Sequence, residues 1–364
     1  MADHETIGEL LTAGDWPAIV EAVGETPELL EARFGWAEQT LLHHAVIAGE
    51  REAVVALLDA GADIMARDAA DNATPLHWAA DRGNLELARL LVERGADLNA
   101  SDDAHGWGPL GWAALGETSE DVARWLLEAG ARPRLFPLIA LDDGPAVAAL
   151  LAERPRALDD RMSLWEHYEC PLHFAIARGA TASFAALLDA GADLVSLDWL
   201  GLSPLAVAGF YGRDDLAVHL EARRVEPDLS AALAAGDYET AERALSAEPG
   251  ALKPKARYGR LLMFAAENDF ADTVRWLLEH DADPNVVRDW WDNRLTPLHT
   301  AASHGSTDVV RLLLDHGADP TVRDHVFDAA PVEWARYYER SDVVAILDAT
   351  PAVGTLGETE SEEE

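Results

Sequence analysis

The sequence predicts an all-α solenoid, a stack of repeated helix pairs sharing one elongated core. Three observations predict it. The phrase TPLHWAADRG from Thr74 returns as TPLHTAASHG from Thr296, with weaker copies elsewhere. Each copy leads into an amphipathic run such as LELARLLVERGADLNA (Leu85 to Ala100) or TDVVRLLLDHGADPTV (Thr307 to Val322). The third is composition: 49% of the 364 residues are apolar, in short periodic pieces that can each cover one face of a helix.

One unit can be read residue by residue. Thr74 sits where a helix is capped, and Pro75 follows at the first helical position, where its missing N–H is no loss. Leu76, Ala79 and Ala80 point inward, and the alanines let neighbouring helices come close. Gly83 stops this first helix. Leu85, Ala88, Leu90 and Leu91 give the second helix its apolar stripe. Gly95 ends it in a left-handed conformation that a Cβ would disfavour. Such a pair cannot bury its own face, so units must stack.

The remaining units follow in order. TLLHHAVIAG begins at Thr40, GPLGWAALGE at Gly108, CPLHFAIARG at Cys170, SPLAVAGFYG at Ser203, LLMFAAEND at Leu261 and APVEWARYYE at Ala330. Three further segments lack the phrase but match one another: Ala13 to Arg33, Leu141 to Arg161 and Ala235 to Lys255. In these, Asp15, Asp143 and Asp237 are equivalent, each preceding a helix and a proline-bearing loop. The array therefore divides into modules of roughly 5–134, 135–226 and 227–349, each opened by a degenerate unit, and eleven units of about 33 residues nearly fill the chain. The segment 350–364, TPAVGTLGETESEEE from residue 350, has no core pattern and a run of like charge, and is expected to be a disordered acidic tail.

The Thr-Pro-Leu-His phrase, the GAD phrase and the period together resemble the ankyrin repeat. The resemblance covers the whole array and implies an ankyrin-repeat α-solenoid with short β-hairpin fingers between the helix pairs. It also implies binding, most often of proteins, through a concave face made by fingers and first helices. In the family the motif histidine, here His43, His77, His173 and His299, orders the stack by hydrogen bonding between turn backbones.

Departures from the family pattern point to the site. Fingers are ordinarily small and polar, yet this chain puts Trp36, Trp107, Trp165, Tyr168, Trp199, Trp290 and Trp291 on or beside them, with Tyr211 and Tyr337 near the ends of first helices. Exposed aromatic patches mark binding surfaces, and Trp and Tyr dominate interface energetics. Packing between neighbouring fingers is the alternative for each tryptophan. Carboxylates accompany the aromatics, among them Asp71, Asp102 and Asp292, and an aromatic, acid-lined groove suits cationic or arginine-rich ligands. The net charge of −38 argues against nucleic acid or an anionic membrane and leaves a basic or neutral protein partner open.

No phosphate-cradling glycine loop, nucleophile elbow or zinc-protease motif appears, and no metal or cofactor is called for. His105 and the run Glu166, His167, Tyr168, Glu169 are the weak catalytic candidates, so a small-molecule binder or enzyme stands as the second function class. Cys170 is the one cysteine, which excludes an internal disulfide and reads as a small replacement for the motif threonine. No apolar run is long enough to cross a bilayer, and the N-terminus lacks a signal-peptide pattern, so a cytoplasmic location is expected. Lysine occurs only at Lys253 and Lys255 while alanine and arginine abound, a bias that suggests a GC-rich, bacterial source or a salt-adapted one.

Overall fold

A computed structural model describes residues 4–103, 106–116, 119–162, 170–287, 294–325 and 327–350. Among them the chain is all-helical, with 22 α-helices alternating along the sequence. The chain forms two compact units. One comprises Met1–Glu166 with Ala180–Ala192, the other His167–Gly179 with Asp193–Glu364.

Within each unit the first helices of successive repeats pack side by side, as Leu41–Ala48, Pro75–Asp81 and Pro109–Leu115 do in the first, and Leu261–Glu267, Pro297–His304 and Pro331–Tyr337 in the second. Their inward residues are alanines and leucines: Leu76, Ala79, Ala80, Leu298, Ala301 and Ala302 are all fully buried. The second helices bury Leu87, Ala88, Leu90 and Leu91, so Leu87 takes the central place expected for Leu85, which lies at the edge of the core. Gly83 and Gly95 adopt positive φ as their positions require.

The motif histidine is the bolt between repeats. The Thr74 N–H donates to His77 Nδ1 (3.1 Å), so the opposite nitrogen carries the proton and Nε2–H donates to the Trp107 carbonyl of the next finger (3.3 Å). His43 makes the same pair of bonds with Thr40 and Ala73, and His299 with Thr296 and Ala329. His173 donates likewise to the Leu202 carbonyl (2.9 Å). Burial pushes the pKa of His43 and of His77 down to about 4 and lowers that of His299, with the backbone carbonyl bond opposing it. Cys170 is buried and occupies the N-cap position of Pro171–Arg178.

The degenerate units share one device. Asp15, Asp143 and Asp237 each cap a ten-residue helix by accepting from the N–H three residues on. Proline then starts a short 3₁₀ turn at Pro27 and Pro155.

Among the described residues the expected β-hairpin fingers do not appear as strands. Among the described residues the only β-bridge between two of them is the isolated antiparallel pair Phe34 and Gln39. The cause is the finger aspartate. Asp68 N–H donates to the Ala73 carbonyl (3.0 Å), but the Ala73 N–H that would return the second ladder bond goes to Asp68 Oδ1 (3.2 Å). Asp324 and Ala329 repeat the arrangement, and the Leu202 N–H is taken by Asp198 Oδ1. Each of these three fingers is thus a side-chain-closed turn.

Candidate functional site

The aspartates that close the fingers also decide where several tryptophans go. Asp68 Oδ2 accepts from the Trp78 indole N–H (2.8 Å), Asp102 Oδ2 from Trp112 (2.6 Å) and Asp324 Oδ2 from Trp334 (2.9 Å). All three carboxylates are buried. Each pairs a finger with the fourth residue of the following first helix, and the Trp78 and Trp112 rings meet edge to face at 5.3 Å. These tryptophans were not among the expected site residues. A recurring Asp and Trp ten residues apart is the signal that identifies them.

Asp102, expected on the acidic lining, is therefore structural. Replacing Asp68 by alanine leaves the Asp71 and Ala73 N–H groups and the Trp78 indole without their acceptor. The expected loss is about 1–3 kcal/mol, read as a lower urea midpoint. An unchanged midpoint would show that these bonds are not maintained in solution.

The sequence-selected aromatics fall into different environments. Trp107 is buried at 9% exposure, its side chain lying over Gly111, where any Cβ would come within 2.8 Å of the Trp107 Cβ. It is packing and does not present a free ring. Trp199 is half-buried beneath the Arg260 guanidinium, 4.6 Å from the ring centre. Trp36 is 89% exposed, on the turn closed by Phe34 and Gln39. Tyr211 is exposed beside Phe210, which packs with Phe264 and Phe270. Trp165, Tyr168, Trp290, Trp291 and Asp292 lie outside the described residues, as do His105, Glu166, His167 and Glu169.

Two hollows in the second unit carry chemistry. The first, about 350 Å³, is lined by Phe327, Ala329, Glu333, Trp334, Tyr337 and Tyr338. Phe327 is 71% exposed and Tyr337 81%, and the rings of Phe327, Trp334, Tyr338 and Tyr337 follow one another at 5.0–6.1 Å. The second, about 300 Å³, contains Asp198, Tyr211, Glu267 and His304. Burial raises the Asp198 pKa to about 6 against the backbone N–H groups that hold its charged form. A hollow of about 400 Å³ in the first unit has the opposite sign, with Arg132, Arg134 and Arg154 and no carboxylate among its described residues.

Among the described residues no three His, Cys, Asp or Glu side chains converge as a metal site, and no helix is long and apolar enough to cross a membrane. No curated protein matches the sequence. A family model described as ankyrin repeats (3 copies) matches residues 42–136 and again 229–324. Those stretches make up just over half of the chain, and with the repeated helix pairs and the histidine bolts they establish that it belongs to the ankyrin-repeat family.

Proposed function

We propose that this protein is a binding scaffold that holds a protein partner through exposed aromatic side chains displayed by its repeats. The 22 helices are read as eleven repeat units in three modules, with the first unit of each module degenerate. The observation that carries the reading is the cluster of Phe327, Trp334, Tyr337 and Tyr338. Phe327, Tyr337 and Tyr338 are exposed and ranged around the Asp324-bound Trp334, without the burial that a packing role would bring to the three of them. At the helix position of Tyr337 the other repeats carry residues as different as Asp81, Ser303, Ala177 and Phe210, so stacking does not require a ring there. Family membership supports a protein as the partner, since ankyrin repeats generally serve as protein–protein interaction modules. The chain's strong negative charge favours partners with a basic or neutral surface.

The test is capture from a cell lysate by immobilised wild type and by a Phe327→Ser, Tyr337→Ser, Tyr338→Ser variant. Aromatic hot spots contribute about 2 kcal/mol or more each, so proteins retained by the wild type should be lost from the variant. The melting temperature should stay within a few degrees, because exposed positions away from packing usually change stability by about 0.5 kcal/mol or less. Retention of the same proteins by both baits would overturn the reading.

A further inference from the structure

Two departures from the repeat pattern meet at the hollow of about 400 Å³ in the first unit. The first is a reversal of charge. After the second helix the repeats carry an Ala-Asp pair that ends on Asp63, Asp97, Asp193, Asp283 or Asp319. Each of these carboxylates accepts from the N–H two residues on. Behind Ala131 the residue is Arg132, a guanidinium where the others place a carboxylate, and it has no acceptor with which to close that turn. The second departure is a loss of bulk. Seven residues before the helix caps Thr40 and Thr74 stand Arg33 and Arg67, whose side chains bridge to the Arg67 and Ser101 carbonyls of the next finger. Seven residues before the cap Gly108 stands Ser101, too short to bridge in the same way. Ser101 and Arg132 both line the hollow, so the space that one leaves is faced by the charge that the other brings.

The rest of the lining specifies the ligand. Arg134 and Arg154 border the same hollow, and Arg134 donates to the Gly106 carbonyl. No ion pair among the described residues engages Arg132, Arg134 or Arg154, in a chain with 66 acidic residues against 28 basic ones. Asn99 Oδ1 accepts from the Arg132 N–H (2.8 Å), which leaves its amide NH2 as a further donor beside the Ser101 hydroxyl. Donors therefore dominate, and they call for an oxyanion. A carboxylate offers two oxygens and one charge, enough for one guanidinium fork. A phosphate monoester offers three terminal oxygens and close to two charges, and can answer several guanidiniums together. Leu98, Leu110, Pro133 and Pro137 supply an apolar side for the carbon of the ester. A polyanion would extend over acidic surface, whereas one group in the hollow is screened from charges farther than about 8 Å at physiological ionic strength.

We infer that this hollow binds a single phosphate monoester through Arg132, Arg134 and Arg154. The same chemistry is available from a phosphorylated side chain of a partner protein and from a small free phosphate ester. The site lies within the first unit and does not rest on the Phe327–Tyr338 cluster, so either could fail without the other.

Calorimetric titration of the full chain at pH 7.5 tests it with four probes: methyl phosphate and capped tripeptides centred on phosphoserine, glutamate or serine. The wild type should bind both phosphate probes at least about tenfold more tightly than the glutamate and serine peptides. Arg132→Asp should abolish that margin. It restores the usual residue of the repeat, whose carboxylate can accept from the Arg134 N–H, so the melting temperature should be unchanged or raised. Arg154→Gln should also reduce the margin, and it carries the comparison if Arg132→Asp does not fold. An Arg275→Gln, Arg311→Gln variant removes two exposed arginines of the second unit and should keep the wild-type margin. The Tyr337→Ser, Tyr338→Ser variant should keep it too. Tighter binding of the phosphoserine peptide than of methyl phosphate would assign the site to a partner's side chain, and equal binding to a free ester. The inference would be overturned by a wild type that binds the glutamate or serine peptide as well as the phosphoserine peptide. It would also be overturned by a folded Arg132→Asp or Arg154→Gln variant with the full margin, or by an equal loss in the Arg275→Gln, Arg311→Gln control.

Discussion

Leu313→Ala should lower the stability of the array by about 2–5 kcal/mol, the range for deleting a buried leucine side chain. Leu313 is fully buried on Thr307–Asp315, a helix that packs against Ala271–Glu279 before it and Ser341–Asp348 after it. Truncation therefore leaves a cavity that touches three successive repeats. Neighbour coupling in a repeat array spreads the loss beyond the helix that carries the change. Arg311→Ala, on the exposed side of the same helix, is the control and should change stability by about 0.5 kcal/mol or less. Urea unfolding followed by circular dichroism reads both. Equal midpoints for Leu313→Ala and wild type would mean that the inward face has been assigned to the wrong residues.

The second large effect is acid lability. His43 and His77 have folded-state pKa values of about 4, below the unfolded value of 6.5, because burial disfavours the charged ring. Above pH 6.5 both states hold these rings neutral, and the full stability is present. As the pH falls from 6.5 toward 4, the unfolded chain takes up the protons and the folded chain does not, so stability is lost through that window. Each ring accounts for roughly 3 kcal/mol at its lower end. His299 contributes in the same direction. Asp198 opposes them: its folded pKa of about 6 exceeds the unfolded 3.8, so acid returns roughly 3 kcal/mol between those values. Protonating surface carboxylates also relieves repulsion in a chain of net charge −38. The clean comparison is therefore between wild type and a His43→Gln, His77→Gln variant. The variant should be less stable at pH 7 because its finger bonds are lost, yet its stability should fall less steeply between pH 6.5 and 4. Parallel curves would show that neither ring is the acid-sensitive element.

Much of this fold was legible because each repeat signal acts locally. Thr74 and Pro75 mark a helix start by what their own backbone can do, and Gly83 and Gly95 mark stops in the same way. His77 was assigned to stack ordering by resemblance, and the structure supplies the bonds. The fingers were misread because a hairpin was inferred from the family, whereas the side chain of Asp68 takes the N–H that a second ladder bond requires. The tryptophans were only half legible for a related reason. Residue type distinguishes neither Trp107, which needs Gly111 beneath it, nor Trp78, which needs Asp68 ten residues earlier, from a ring free to meet a partner. That distinction lies in the contact between a finger and a helix, which helical periodicity does not reach.

Hydroxyl-radical footprinting tests most directly the central claim that the exposed aromatic cluster meets the partner while the aspartate-bound tryptophans hold the repeats together. The chain is oxidised alone and in complex with a protein that it retains from the lysate, and modification is read residue by residue. Binding should protect Phe327, Tyr337 and Tyr338 strongly and leave Trp78 and Trp112 as reactive as in the free chain. Unchanged oxidation of Phe327 and Tyr337 in a saturated complex would contradict the account.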